Sequence, residues 1–252
     1  MYRFYINTTD IHDNKAEITG QDARHLINVL RISLGDKVEL FDGKGLKFIA
    51  EVNTTTPQKV KLVILEKFFS RCESPIHITI AQGMLKDKKM DMLIRHLTEL
   101  GISEWIPFFA ARSIPKPNEK RIQARIKRWE RIAKEALKQC GRSSLPKIKE
   151  PVPFKELMEM SDNYDEKIAF FEKASCPIQS IKDNPMQNIN KFIILIGPEG
   201  GFSDLEINFA KKNGFNTFSL GPRILRAETA SITACSLIQN FFGDLGSKKF
   251  LT

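Results

Sequence analysis

Short runs of alternating apolar and polar residues fill the first part of the chain. YRFYI alternates from Tyr2, and KVEL and LKFIAEV alternate on either side of Asp42-Gly43-Lys44-Gly45, which predicts a β-hairpin. A third alternating run, KVKLVILEK, follows Pro57. Between the early strands, DARHLINVLRI places Ala23, Leu26, Ile27 and Leu30 on one helical face, and Gly35 ends the segment in a turn. Residues 1–72 therefore read as a small, mostly β module with one helix.

The pattern changes near Ser70 to Pro75. HITIAQGM, DMLIRHLTELG and EWIPFFA read as strand, helix and strand, and KIAFFE, FIILIG, DLEINFAKKNG, FNTFSLG and ETASITACSLIQNFFGDLG continue the alternation. Apolar strands separated by amphipathic helices predict an α/β domain over residues 73–252 with a mostly parallel sheet, because parallel strands need crossover helices. No internal repeat interrupts the series.

Charge sharpens this division. The net charge of +9 is concentrated between Arg112 and Lys149, where thirteen Lys and Arg face three acids; the remaining 26 basic and 27 acidic groups nearly cancel. Within that block, Ile122, Ile126, Trp129, Ala133, Leu137 and Cys140 recur at helical spacing and form an apolar stripe. Arg121, Arg125, Arg128, Arg131, Lys134 and Lys138 form a second stripe rotated from the first. A cationic ridge anchored to a core predicts a polyanionic partner, with a merely soluble basic helix as the alternative.

Other features exclude function classes. Apolar residues make up 42% of the 252, enough for a core and too many for extended disorder. MYRFYINTTD lacks the basic start and apolar middle of a signal peptide, and no apolar run reaches membrane-spanning length. Cys72, Cys140, Cys176 and Cys235 show no metal or redox spacing, which reads as free thiols in the cytoplasm. His12, His25, His77 and His96 are scattered, so no metal is expected.

The chemistry concentrates in two glycine-proline turns. FIILIGPEGGFSDLE has a buried strand, a turn and a helix start whose Ser203 and Glu206 match a capping box. Such a turn at the C-terminal end of a parallel strand is where open α/β sheets bind ligands. It is a poor phosphate loop: the Walker lysine is missing, Pro198 lacks an amide donor, and Glu199 would oppose the phosphate charge. A ligand with a positive or neutral reacting centre fits better. About twenty residues later FNTFSL ends in a second such turn, LGPRILRAETA, before a helix rich in small residues.

IGPEGGFSDLE followed by LGPRILRAETA closely resembles the signature pair of the RsmE family, the 16S rRNA uridine-N3 methyltransferases of the SPOUT superfamily. RHLINVLR, TELGISEWIPFFAARS and KQCGRSSLPKI resemble further family segments in the expected order, so the likeness covers nearly the whole chain. It implies an N-terminal PUA-like β-barrel, a C-terminal trefoil-knot domain, a homodimer and S-adenosylmethionine as cofactor. By motif, Ile196, Gly197, Pro198, Glu199, Gly200 and Gly201 would line the cofactor pocket together with Leu220, Gly221, Arg223, Ile224, Leu225 and Arg226. The chain departs from the family at His96, at Lys138 where glutamate is usual, and at Ala227 where threonine is usual.

The implied reaction methylates uracil N3 in the small ribosomal subunit. It needs a positioned methyl donor and a group that stabilises the imide anion. Arg226 is the first candidate for that group, and Glu228 is either a proton acceptor or a favourable charge at a helix N-terminus. Arg3, Arg24 and Arg31 are the expected RNA contacts of the first module. Arg112 and Arg142 match family positions on the RNA side, and Arg121, Arg125 and Arg128 would add sequence-independent affinity. The competing readings are another SPOUT RNA methyltransferase, acting on a ribose 2′-hydroxyl or a different base, and a ribosome-associated RNA-binding protein without activity.

Overall fold

The computed structural model describes residues 1–114, 118–183 and 189–246. They form two compact units, one from Met1–Glu73 with Lys134–Leu145, the other from Ser74–Ala133 and from Pro146 onward.

In the first unit, β1 (Arg3–Tyr5), β2 (Ile11–His12), β3 (Lys15–Thr19), β4 (Lys37–Phe41), β5 (Leu46–Thr56) and β6 (Lys59–Phe69) form one sheet in the order β1-β4-β5-β6-β3-β2. All neighbours are antiparallel except β1 and β4. The alternation read in KVEL and KVKLVILEK is the burial pattern: Val38, Leu40, Val60 and Leu62 share one apolar cluster, which Ala16 and Ile18 join from β3, a strand the sequence reading missed. The β4–β5 hairpin forms at the expected turn, where the Asp42 carboxylate accepts from the amides of Lys44 at 2.7 Å and Leu46 at 3.1 Å. The expected helix is shorter and wider than a regular one. α1 (Gly20–Arg24) passes into a π turn at His25–Val29, with the Leu30 amide donating to the His25 carbonyl at 3.0 Å. Ala23 and Leu26 are fully buried, and Ile27 and Leu30 pack at the cluster's edge.

This unit also takes in a segment that the sequence boundary at residue 72 leaves out. Lys138 Nζ lies 2.9 Å from both Asp22 and Glu135. Burial pulls Lys138 down, but these two carboxylates outweigh it and leave its pKa raised. The amides of Ser143 and Ser144 donate to the Glu73 carboxylate at 2.7 and 3.0 Å, and the Leu145 amide donates to the Gly43 carbonyl at 2.8 Å.

The second unit holds β7 (His77–Gly83), β8 (Glu104–Phe109), β9 (Lys147–Ile148), β10 (Val152–Pro153), β11 (Glu166–Phe170), β12 (Lys191–Ile196) and β13 (Asn216–Phe218). Their order is β10-β8-β7-β12-β11-β13, with β9 also on β8, and every pairing is parallel. The helices are α2 (Asp87–Glu99), α3 (Glu119–Cys140), α4 (Phe154–Met160), α5 (Asp204–Lys212) and α6 (Ala227–Phe242), with the last seven residues of α3 belonging to the first unit.

Helices cover both faces of this sheet. α6 packs on β7, β12 and α2, with the Phe242 ring 5.0 Å from that of Phe192. On the other face Ile193 and Leu195 join Leu157 and Met158 of α4 and Ile207 and Ala210 of α5 in one cluster. β7 and β12 are consequently buried almost throughout, as central parallel strands must be. β9, β10 and α4 are not legible in the sequence, because two-residue strands and a seven-residue helix opening at Pro153 carry too little periodicity. Since all strands run the same way, the turns that follow β7, β11, β12 and β13 leave along one edge.

Candidate functional site

The first turn follows β12 and is held from several sides. Gly201, at φ +67°, donates its amide to the Pro198 carbonyl at 2.9 Å. Both halves of the capping box are present, with Glu206 Nα–H donating to Ser203 Oγ at 3.2 Å and Ser203 Nα–H donating to Glu206 Oε2 at 2.9 Å. The other oxygen of Glu206 accepts the Ala111 amide at 2.8 Å, tying the turn to the segment after β8. From the same segment Arg112 Nη1 donates to the Gly200 carbonyl at 3.0 Å.

Below the turn lies a buried amide. Gln82, fully inaccessible at the end of β7, donates to the carbonyls of Gly83 at 3.0 Å and Gly197 at 3.3 Å. Its oxygen accepts a short hydrogen bond from Ser231 Oγ on α6. Gly83 leaves no room for a side chain: a Cβ there would come 2.6 Å from Pro198 N. These contacts bring the strand, the first turn and α6 into one polar knot of hydrogen bonds.

The second turn runs from Ser219 to Arg226. Ser219 Oγ accepts the Gly221 amide at 3.1 Å, and Gly221, at φ +119°, has nothing within 4 Å of its Cβ direction. Arg226 is the N-cap residue of α6 with extended backbone, and its side chain is not used for capping. The two turns enclose a cavity of about 380 Å³, within the range of small-molecule sites. Every residue expected at a cofactor pocket, from Ile196 to Gly201, Leu220, Gly221 and Arg223 to Arg226, lines it.

The cavity also has lining residues that sequence reasoning missed. Lys89, in the first turn of α2, places Nζ 2.8 Å from Glu199 and 3.2 Å from Glu228. Hydrogen bonding to Glu199 first, and to Glu228 after it, raises the Lys89 pKa against the desolvation that lowers it. Glu172, just beyond β11, lines the cavity with Phe170 and Phe171. The available signals were a lysine opposing the dipole of a helix start, and a carboxylate directly after an apolar strand.

The chain matches two domain families, an RNA methyltransferase domain over residues 72–239 and an RNA methyltransferase PUA domain over residues 18–65. It is 32% identical to the ribosomal RNA small subunit methyltransferase E of Bacillus subtilis over 94% of this chain and 96% of that one. This chain belongs to the ribosomal RNA small subunit methyltransferase E family. Among solved structures, a methyltransferase of Legionella pneumophila in complex with S-adenosylmethionine matches with a TM-score of 0.87 at 31% identity, over 96% of this chain and 98% of that one. A ribosomal RNA small subunit methyltransferase E of Neisseria gonorrhoeae bound to S-adenosylmethionine matches with a TM-score of 0.86 at 28% identity, over 97% and 99%.

For a member of the methyltransferase E family, the arginines expected to meet RNA are placed unevenly. Arg24 and Arg31 are exposed on the first unit, Arg31 at φ +51°. Arg3 is turned inward, 2.6 Å from Glu39 and donating to the Leu137 carbonyl at 2.8 Å. Arg142 is 5% exposed and donates to Glu73 at 3.0 Å. Arg3 and Arg142, both expected to meet RNA, are held by internal partners in this chain. Arg112 braces the first turn.

The ridge on α3 is divided in the same way. Arg121 and Arg131 are exposed and Arg125 is half-buried. Arg128 pairs with Asp91 at 2.5 Å, and Lys134 sits 4.1 Å from the Tyr5 ring centroid. His96 lies 3.4 Å from Glu99, and Ala227 opens α6. Among the described residues no group of three or more His, Cys, Asp or Glu could hold a metal, and no helix is long and apolar enough to cross a membrane.

Proposed function

We infer that this chain transfers the methyl group of S-adenosylmethionine to N3 of a uridine in 16S rRNA. The observation that carries the reading is the convergence of both signature turns on one cavity with Arg226 at its rim. The residues fit this cofactor better than a nucleotide phosphate. Pro198 offers no amide, and Glu172 and Glu199 place carboxylates around the cavity, suited to hydroxyl donors and a cationic centre. The cofactor supplies a methyl group on a positive sulfonium.

The remaining work falls to side chains of this chain. Arg226 is exposed and belongs to the turn that bounds the cavity, so its guanidinium can oppose the negative charge that develops on the uracil imide. Arginine cannot accept the N3 proton, because it stays protonated, so in this reading the proton leaves to solvent water as the methyl group leaves the sulfonium. Glu228 lies in the first turn of α6, 9% exposed and paired with Lys89, which favours an anchoring role over that of proton acceptor. Arg24, Arg31, Arg121 and Arg131 are the exposed cations of this reading, with 16S rRNA in the small subunit as the partner. Threading of the chain through the two turns, assembly as a homodimer, a division into domains near residue 72 and a cytoplasmic place of action belong to the same reading.

Arg226→Ala tests it. Calorimetric binding of S-adenosylmethionine should survive, while methyl transfer to small-subunit particles falls on the order of a hundredfold or more. Near-normal turnover would remove Arg226 from the chemistry. Mass spectrometry of small-subunit rRNA from cells with and without the protein reads the modified atom, and a missing ribose methyl would select the 2′-hydroxyl reading instead.

A further inference from the structure

Lys89 stands where an isolated helix would disfavour it. The first turn of α2 carries the positive end of the helix dipole, and Lys86 and Lys88 beside it are already exposed cations. Lys89 instead reaches two carboxylates from segments distant in sequence: Glu199 of the first turn at 2.8 Å and Glu228 at the start of α6 at 3.2 Å. Glu228 directly follows the second turn, so one ammonium joins both halves of the cavity. Glu228 Oε2 is buried, and this ammonium at 3.2 Å supplies its compensating charge.

We propose that Lys89 is a positioning residue, an electrostatic latch that holds the two turns of the cofactor pocket in register through Glu199 and Glu228. The proposal rests on the cofactor reading above. Without Lys89, two carboxylates that now share one cation lose it and repel. The hydrogen bonds of Arg112 and Gln82 still hold the backbone of the first turn, so the fold persists while the register of the rim is lost. The latch is partly exposed, with the Lys89 side chain at 31%, so salt weakens it.

The test is calorimetric titration of the full chain with S-adenosylmethionine, alongside melting of the ligand-free protein. Lys89→Met should weaken binding roughly tenfold with little change in the ligand-free melting temperature. Lys89→Arg should restore most of the affinity. The double variant Lys89→Met with Glu199→Gln should also be roughly tenfold weaker rather than a hundredfold, since both changes break the same contact. In steady-state kinetics the loss should appear in KM for the cofactor and leave kcat at saturation largely intact.

Wild-type affinity in Lys89→Met, a Lys89→Arg variant as weak as Lys89→Met, or multiplicative losses in the double variant would each overturn the latch. If Lys89→Met fails to fold, Glu199→Gln on the turn carries the same test, and unchanged affinity there overturns it. A wild-type protein that does not bind S-adenosylmethionine would fail the cofactor reading itself, which separates the two outcomes.

Discussion

Gly83→Ala is a one-carbon change that strikes the floor of the cavity. The added Cβ would lie 2.6 Å from Pro198 N, 2.8 Å from Pro198 Cδ and 2.9 Å from Gly197 C, where ordinary contacts begin at 3.4 Å. The obstacle is the backbone of the first turn, not the end of a flexible side chain, so the turn or the end of β7 must retreat by about 1 Å. Overpacking of this kind costs roughly 1–3 kcal/mol. The loss of glycine from the unfolded chain returns about 0.4–1 kcal/mol, so overlap prevails by about 1–2 kcal/mol. For a chain of this size that lowers the melting temperature by roughly 2–8 °C.

The functional consequence should be larger than the thermal one. The turn that moves bears Pro198, Glu199 and Gly200 of the cavity, and misplacement by about 1 Å can cost a hundredfold in rate. Differential scanning calorimetry and single-turnover methyl transfer on small-subunit particles measure the two effects. A variant with wild-type melting and wild-type transfer would show that β7 and the turn are not in tight contact, and the account of the cavity floor would be wrong.

Two further expectations concern charge. His77 is held below 6.5 mainly by burial, with Glu104 raising it and Lys191 lowering it further. Its contribution to stability is complete above pH 6.5 and is lost as pH falls through the folded value, so melting should fall on acidification and His77→Gln should flatten that slope. Burial pushes Tyr164 up to about 12, so the unfolded state ionises first. Stability should drop between pH 10 and 12 by about 1–2 kcal/mol, and Tyr164→Phe should remove the drop. If the ridge of α3 is the RNA footprint, Arg121→Gln with Arg131→Gln should reduce the salt slope of rRNA binding by roughly 2, and an unchanged slope places the footprint elsewhere.

The elements legible in the sequence are those whose causes are local. Alternation in KVEL and LKFIAEV, the capping pair Ser203 and Glu206, and the glycine-proline turns all act within a few residues, and the structure keeps them. What escaped reading depends on partners far along the chain. The sequence carries no sign of the Glu73 carboxylate that meets Arg142 from 69 residues away, or of the carbonyls near the end of α3 that close on Arg3. Lys89 is an ordinary helix lysine until α6 brings Glu228 beside it. The regular helix expected over 22–32 fails for a subtler reason. Its apolar spacing suits either an α or a π turn, and the Leu30 amide chooses the His25 carbonyl five residues back.

The cavity is therefore stiff and yielding in different places. Its floor is fixed by buried neutral groups: Gln82 joins β7, the first turn and α6 through bonds shielded from water, and Gly83 packs against Pro198 with no slack. Such a network is costly to open and insensitive to salt, because every buried polar atom in it would lose its partner. Its rim is fixed by charge at partial exposure, through Lys89, Glu199 and the Arg112 guanidinium on the Gly200 carbonyl. Those contacts are individually weak and exchange readily with water or with a ligand's own polar groups. A site that must admit a cofactor and release its product needs this order of stiffness, with a register that survives each turnover at the floor and an entrance that can part at the rim. The opposite arrangement, with a charged floor and an apolar rim, would bury uncompensated carboxylates whenever the cavity emptied.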